Sequence, residues 1–278
     1  MKSNTRITFI GGGNMAMAMA SGMIETLCNP QDISVIDINT AGHERWHEKG
    51  ISVGTHATDS LAQSKVWIYA VKPQNMREAI ESSKAYLQAD TLVISIAAGL
   101  NTHSLSGWLG TPDTPWPNII RVMPNTPALI GKGVSGLYAL PSLKEQDVVL
   151  AEKILSSIGT VVRFAQEEQL DPVTALSGSG PAYVFLLIES LIEGALALGL
   201  EYNQAKKLAI ETILGSAALA ASSGQEPATL RENVTSKGGT TAAALAVFEQ
   251  HKLKDTVRQA MKAASDRAAE MSRELGKS

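Results

Sequence analysis

Near its start the chain runs Arg-Ile-Thr-Phe-Ile directly into Gly11-Gly12-Gly13-Asn14-Met15-Ala16. A strand-like run that ends in G-x-G-x-x-A and opens a helix restricts the possible folds more than any other feature here. Gly11 permits the tight turn, Gly13 lets backbone approach a pyrophosphate without a Cβ, and Ala16 allows close helix–strand packing. The first N–H groups of the helix then offer positive partial charge to phosphates. A lone glycine pattern is weak, but strand, turn and helix follow in the order the motif requires. Gly11, Gly13, Asn14, Met15 and Ala16 are therefore candidate cofactor-binding residues; the competing reading is a glycine-rich turn with no ligand.

The runs Arg6–Ile10, Ile33–Ile38, Val66–Val71, Thr91–Ile96 and Asn118–Met123 are continuously apolar rather than alternating. Strands buried on both faces read this way, as in a parallel sheet with helices on each side. Val134–Leu140 and Thr160–Phe164 flank a helical segment, Leu143–Ile158, so the sheet is expected to reach seven or eight strands. The predicted fold is an α/β Rossmann domain over residues 1–165, mostly parallel and doubly wound, followed by an all-α domain over 166–278. Pro172–Leu200 reads as one long helix with a break or start around Ser177–Pro181. Asn203 is an expected N-cap of the next, which Gly224 ends. Glu226–Val234, Thr240–Gln250 and Leu253–Leu275 complete the set.

The helix after Pro181 carries Val184, Phe185, Leu187, Ile188, Leu191, Ile192 and Leu196 around most of its circumference. Such a helix must be buried on nearly all sides. A second copy of the chain is the favoured cover, with burial inside the monomer as the alternative.

Asp37 closes the second apolar run, roughly 20 residues past the turn, where an acidic side chain takes ribose hydroxyls and disfavours a 2′-phosphate. That leans towards NADH. Asn39, His43 and Arg45 follow closely, and a basic group there would accommodate a phosphate, so NADH and NADPH both stay open. A turn-capping role for Asp37 is the simpler alternative.

The 278 residues are 44% apolar and 18% charged with net charge −3, so no basic footprint for nucleic acid is present. Cys28 is the single cysteine, which excludes an intrachain disulfide and a CxxC metal motif. His43 and His47 could share a helix face without a third ligand, so no metal is expected. The apolar stretch Ala182–Ile188 stops at Glu189, short of a membrane span, and the N-terminus lacks a signal-type apolar region. A cytoplasmic protein with no membrane or nucleic-acid partner is expected. Ser177-Gly178-Ser179-Gly180-Pro181 does not fit a nucleophile elbow on either serine.

Several segments together resemble pyrroline-5-carboxylate reductases: Phe-Ile-Gly-Gly-Gly-Asn-Met-Ala (9–16), Ala-Val-Lys-Pro (70–73), Ser-Ile-Ala-Ala-Gly (95–99), Arg-Val-Met-Pro-Asn-Thr-Pro (121–127), Ser-Gly-Ser-Gly-Pro-Ala-Tyr (177–183) and Asn-Val-Thr-Ser-Lys-Gly-Gly-Thr-Thr (233–241). They span nearly the whole chain in the family's order. The resemblance implies a C-terminal dimerisation domain, a homodimer often built into a decamer, and NADH- or NADPH-dependent reduction of 1-pyrroline-5-carboxylate to L-proline, the last step of proline synthesis.

The resemblance also implies roles. The turn Val71, Lys72 and Pro73 would lie along the cofactor. Ala97 would leave room for a flat nicotinamide, and Asn125 would bond its carboxamide or serve as a turn residue between two prolines. Asn233 would touch the cofactor. The loop before residue 241 offers several N–H donors to one carboxylate. Ser236, Gly239, Thr240 and Thr241 are its candidates, with Thr241 near the ring nitrogen as the candidate catalytic residue; an ordinary N-capped helix start is the alternative. Two departures stand out. Ala57 occupies a position where many family members have Asn, leaving His56 or Thr58 to substitute, and Lys237 stands where Pro is common.

Two other functions compete. A hydroxyacid dehydrogenase of this layout would present a catalytic lysine on the helix after Pro181, and that helix has none. A non-enzymatic nucleotide sensor would not need the Ser/Thr/Gly loop.

Overall fold

The computed structural model describes residues 2, 4–111 and 113–276. Its strands are β1 (Ile7–Ile10), β2 (Ile33–Ile36), β3 (Ser52–Gly54), β4 (Val66–Tyr69), β5 (Leu92–Ser95), β6 (Ile119–Met123), β7 (Gly133–Ala139) and β8 (Gly159–Phe164). They form one eight-stranded sheet in the order β3-β2-β1-β4-β5-β6-β7-β8. Every neighbouring pair is parallel except β6–β7, which is antiparallel. The chain winds outward from β1 to β3, then returns to place β4 on the other side of β1. The strand order reverses at that point, and ligands of open α/β sheets bind at the carboxyl ends of strands flanking such a reversal.

Burial on both faces explains the unbroken apolar runs. On one face Ile7 and Phe9 join Met19, Met23, Trp46 and Ile154. On the other, Ile10 joins Trp67, Tyr69, Met76, Ile80 and Leu105. Helices α1 (Asn14–Thr26), α2 (Glu44–His47), α3 (Met76–Ser83), α4 (Thr102–Leu109) and α5 (Glu145–Ser156) supply those partners or connect the strands. Full burial of one large apolar side chain contributes about 1.5–3 kcal/mol.

After β8 the chain is helical: α6 (Leu170–Val173), a π-type stretch (Thr174–Gly178), α7 (Gly180–Ala197), α8 (Tyr202–Ser223), α9 (Pro227–Asn233), α10 (Thr240–Gln250) and α11 (Leu253–Leu275). The π stretch follows α6 directly and ends at Gly178, Ser179 lies outside the helices, and α7 starts at Gly180, within the break or start expected around Ser177–Pro181. By length and composition alone the segment Glu167–Ala197 passes for a membrane-crossing helix, although Glu189 and Glu193 still interrupt its apolar run. Asn203 is not the N-cap of α8. The cap is Glu201 and makes no side-chain bond, while Tyr202 already begins the helix.

The chain divides into two compact units, Met1–Ser179 with Ala263–Ser278, and Gly180–Lys262. The first contains the sheet and both apolar clusters. In the second, α7 packs against α8. Yet α7 has no buried residue, and α8 buries only Ala205 and Ala209. Phe185, Leu186, Leu208 and Leu214 are all exposed. The apolar circumference of α7 is therefore left uncovered by its own chain.

Candidate cofactor and substrate sites

The glycine turn leaves the carboxyl end of β1 at the strand reversal. Gly11 has φ +100, and a Cβ built on it would lie 2.8 Å from the carbonyl group of Ala70, so only glycine fits. Its N–H donates to the Ile36 carbonyl at 2.8 Å. Gly13 is the N-cap of α1 and makes no side-chain cap bond; the first turn holds no acidic residue. A Cβ on Gly13 would meet nothing within 4 Å. Gly13 thus borders open space at the uncapped start of α1, a position suited to a pyrophosphate. Ala16 is fully buried against the sheet.

Asp37, just past β2, folds its carboxylate back onto the turn. The Gly12 N–H donates to Oδ2 at 2.8 Å and the Asn39 N–H to Oδ1 at 2.9 Å. A Cβ at position 12 would lie 2.8 Å from that Oδ2 and 2.9 Å from the Trp46 Nε1. The middle glycine is therefore required by Asp37 and Trp46, a constraint the motif does not encode. Arg45 sits on the same turn, donating to the Gly12 carbonyl and, at 3.1 Å, to Asn14 Oδ1.

The remaining rim comes from the carboxyl ends of β4, β5 and β6. The Ala70 N–H donates to the Ile10 carbonyl at 2.8 Å, which sets the turn Val71-Lys72-Pro73 beside the glycines. Lys72 is exposed. Ala97 is buried, its methyl part of the apolar cluster, so only its backbone is available to a ligand. His56 Nδ1 pairs with Thr55 Oγ1 and Thr58 Oγ1 with Ser60 Oγ, both at 2.7 Å, while Ala57 packs on the core.

Asn125 is nearly buried, and both ends of its amide are engaged. Oδ1 accepts from the Val134 N–H at 2.8 Å, and Nδ2 donates to the Ser177 carbonyl at 3.0 Å. The side chain ties the turn after β6 to β7 and to the π-type stretch. Next to it lies a cluster that sequence reasoning missed. Arg121, buried in β6, pairs with Glu167 Oε1 at 3.1 Å and Asp171 Oδ1 at 3.5 Å. Glu167 also accepts from the Thr102 N–H at 2.7 Å, closing the start of α4. Burial pushes the Asp171 carboxyl up from its ordinary range despite Arg121, with Glu167 and Glu168 adding to the rise. The available signal was an arginine inside the apolar run Ile-Ile-Arg-Val-Met, which had to find a carboxylate.

The second unit holds the other candidates. Gly238 has φ +72, and Gly239 is the N-cap of α10 with no side-chain cap bond. The Gly239 N–H donates to the Ser236 carbonyl at 3.0 Å. A Cβ on Gly239 would lie 2.5 Å from Ser236 Oγ. The serine hydroxyl therefore stands beside the uncapped start of α10, in space that glycine leaves free. Thr240 and Thr241 are the first two residues of the helix. Thr241 is thus the second residue of α10 and not its N-cap, which is Gly239. Asn233, at the end of α9, donates through Nδ2 to Gln225 Oε1 at 3.1 Å. Among the described residues, no group of three or more His, Cys, Asp or Glu could hold a metal ion.

A glycine turn at the strand reversal of a parallel sheet, feeding an uncapped helix, defines a dinucleotide-binding Rossmann fold. Comparison with known proteins sharpens that. Residues 167–271 match the family model described as pyrroline-5-carboxylate reductase dimerisation, and residues 6–99 match NADP oxidoreductase, coenzyme F420-dependent. Pyrroline-5-carboxylate reductase of Pseudomonas aeruginosa is 39% identical over 99% of both chains. The solved structure of the Coxiella burnetii pyrroline-5-carboxylate reductase is similar with a TM-score of 0.89, 37% identity, and coverage of 97% of this chain and 99% of that one. The Plasmodium falciparum pyrroline carboxylate reductase, solved with NADP bound, gives 0.85 at 30% identity over 98% of this chain and 100% of its own. The chain belongs to the pyrroline-5-carboxylate reductase family.

Proposed function

We propose that this chain reduces 1-pyrroline-5-carboxylate to L-proline, the last step of proline biosynthesis, with NADH or NADPH. The observation that carries this reading is the pairing of two uncapped helix starts in one chain, each with glycine at the N-cap. The first, at α1, suits a pyrophosphate. The second, at α10, is flanked by Ser236, Thr240 and Thr241 and suits one small carboxylate.

When bound, the reduced nicotinamide supplies the hydride that turns the ring C=N into CH–NH, while the ring nitrogen carries the proton. The chain's own residues bind and orient. Gly11, Gly13, Asn14, Met15 and Ala16 form the pyrophosphate turn, and Asp37 takes the ribose hydroxyls. Val71, Lys72, Pro73 and the Ala97 backbone line the rim, with Asn233 a further cofactor contact. Asn125 joins the rim through its turn, since its amide is engaged at both ends. Ser236, Gly239, Thr240 and Thr241 hold the substrate carboxylate, and the Thr241 hydroxyl orients the ring nitrogen. The substrate imine arrives already protonated, so placement within about 3–3.5 Å of the donor carbon supplies much of the acceleration.

The exposed apolar surface of α7 and α8 supports a homodimer, which the family resemblance extends to a decamer, working in the cytoplasm. The direct test is oxidation of NADH and of NADPH on adding 1-pyrroline-5-carboxylate, with proline identified by chromatography. Turnover with at least one cofactor is expected. No turnover with either, against a known reductase as positive control, overturns the proposal.

A further inference from the structure

We infer that Glu167 is a positioning residue for the reduction: it clamps the loop between β5 and α4 and so sets the path of the Ala97 backbone along the rim. The inference rests on the proposed reaction and adds a residue outside the groups assigned to cofactor and substrate. Residues 96–101 follow the end of β5 at Ser95 and precede α4 at Thr102, outside strand and helix. The Ala97 methyl lies in an apolar cluster, so only its backbone can meet a ligand. Its contribution therefore depends on where the loop runs. A displacement of about 1 Å can cost about a hundredfold in rate when reacting atoms must be held in line.

The loop is held from two sides. The chain leaves the sheet unit after Ser179 and returns to it at Ala263. From the segment before the exit comes Glu167, whose carboxylate accepts from the Thr102 N–H at 2.7 Å and from the Thr102 hydroxyl at 2.5 Å. From the segment after the return come the last turns of α11. Gly99 has φ +70, and a Cβ on it would lie 3.0 Å from the Met271 Cβ. Asn101 Nδ2 donates to Ser272 Oγ at 3.4 Å, and Leu275 packs on the same apolar cluster as Ala97. The outgoing and returning segments thus converge on one rim loop.

Helix capping alone does not account for Glu167. The N-cap of α4 is Asn101, whose side chain accepts from the Ser104 N–H at 2.8 Å. Glu167 is 65 residues away along the chain and takes the N–H and the hydroxyl of Thr102 together, which fixes that residue in backbone and rotamer. Arg121, buried in β6, donates to the same carboxylate at 3.1 Å. The buried charge is therefore kept, and the grip runs from a strand of the sheet through Glu167 to the loop. Thr102 is itself buried. Removing Glu167 leaves its two donors unpaired, and the loop must shift to find other acceptors.

The test combines steady-state kinetics, per mole of folded enzyme, with hydrogen exchange of the full-length protein. Glu167→Ala should lower kcat at least about tenfold, with KM for 1-pyrroline-5-carboxylate and calorimetric affinity for the cofactor within about threefold of wild type. Glu167→Gln, which keeps an acceptor, should regain part of that loss. The exposed neighbour Glu168, changed to Ala, should leave kcat unaltered. Thr102→Val should lower kcat by itself and add nothing in the Glu167→Ala background, because the hydroxyl acts only through that carboxylate. The isotope effect on kcat with cofactor deuterated at C4 should be no smaller in Glu167→Ala than in wild type. An unchanged kcat in folded Glu167→Ala, an equal loss in Glu168→Ala, the same effect of Thr102→Val in both backgrounds, or a smaller isotope effect each overturns the inference. If Glu167→Ala does not fold, Glu167→Gln takes its place in the cycle with Thr102→Val. The loop is also read without substrate. Amides 97–102 should exchange faster in the Glu167 variant while those of the glycine turn 11–16 keep their wild-type rates, and unchanged exchange in the loop overturns the inference too. Absence of turnover in the wild type would instead count against the function and leave the exchange test standing.

Discussion

The two compact units solve the burial problem in opposite ways. In the sheet unit, strands such as β1, β4 and β5 are buried along their whole length by helices of the same chain. In Gly180–Lys262, the long helix α7 has no fully buried residue, and Phe185, Leu186, Leu187 and Leu191 are exposed. A surface of that kind on a stable protein marks an interaction site. The lesson is that one unit is finished by its own sequence, while the other leaves apolar surface that, on the proposal above, a second copy covers. Stability of the first should be independent of concentration; stability of the second should rise with it.

The largest effect is expected where the contrast is sharpest. Trp67→Ala, at a fully buried position of β4, should cost about 3–5 kcal/mol in urea unfolding at any protein concentration. Leu186→Asp, at a residue 63% exposed in the single chain, should barely alter the lone chain. It should dissociate the assembly and remove turnover, as read by sedimentation and activity on one sample. If Leu186→Asp leaves an active assembly, the contrast is broken.

Next in size is Arg121→Ala, which strands Glu167 and Asp171 without their cation and should cost about 3 kcal/mol. Replacement by Met, with both acids changed to amides, should recover most of it; failure to recover would mean that packing, not charge, holds the cluster.

Smaller effects separate the two helix starts. Ser236→Ala removes the hydrogen bond proposed to the substrate carboxylate and should raise KM about tenfold, with cofactor affinity unchanged. Thr241→Ala should lower turnover more than it weakens cofactor binding. Steady-state kinetics equal to wild type would remove Thr241 from the chemistry.

The smallest effect concerns pH. The Asp171 carboxyl is raised in the folded state, chiefly by burial. Its contribution is then fully present below the unfolded carboxylate pKa and is lost as pH rises through the folded one. Asp171→Asn should remove that loss, so its stability relative to wild type should improve as pH climbs through and above the carboxylate range. A flat difference across a urea series at several pH values would contradict the assignment.

Much of this was legible in the sequence because it is local. The glycine turn, the continuous apolar runs and the Ser/Thr/Gly loop each lie within a dozen or so residues, where spacing alone carries the physics. Seven strands could be read; β3 could not, being three residues at a sheet edge with little apolar content. The run Ile33–Ile38 ends early as a strand, at Ile36, because Asp37 turns back onto Gly12 and Ile38 is left 78% exposed. The break or start expected around Ser177–Pro181 is there, since α7 begins at Gly180; what the sequence did not show is the π-type stretch before it, whose Ser177 carbonyl accepts from the Asn125 amide. The partners of Asn39, His43 and Arg45, which are the Ala41 N–H, the Asp37 carbonyl and the glycine turn, were likewise out of reach. All three residue types can bind a phosphate, and only the folded chain shows where each side chain goes. Arg121 announced that it needed a partner but not that Glu167 and Asp171 would provide it.

The central claim is that the helical unit is completed by a second copy. Sedimentation velocity of the full chain over a wide concentration range tests it most directly. The account predicts a particle of twice the 29.4 kDa chain mass, or an even multiple of it. A single 29.4 kDa species that turns over 1-pyrroline-5-carboxylate at every concentration would contradict it.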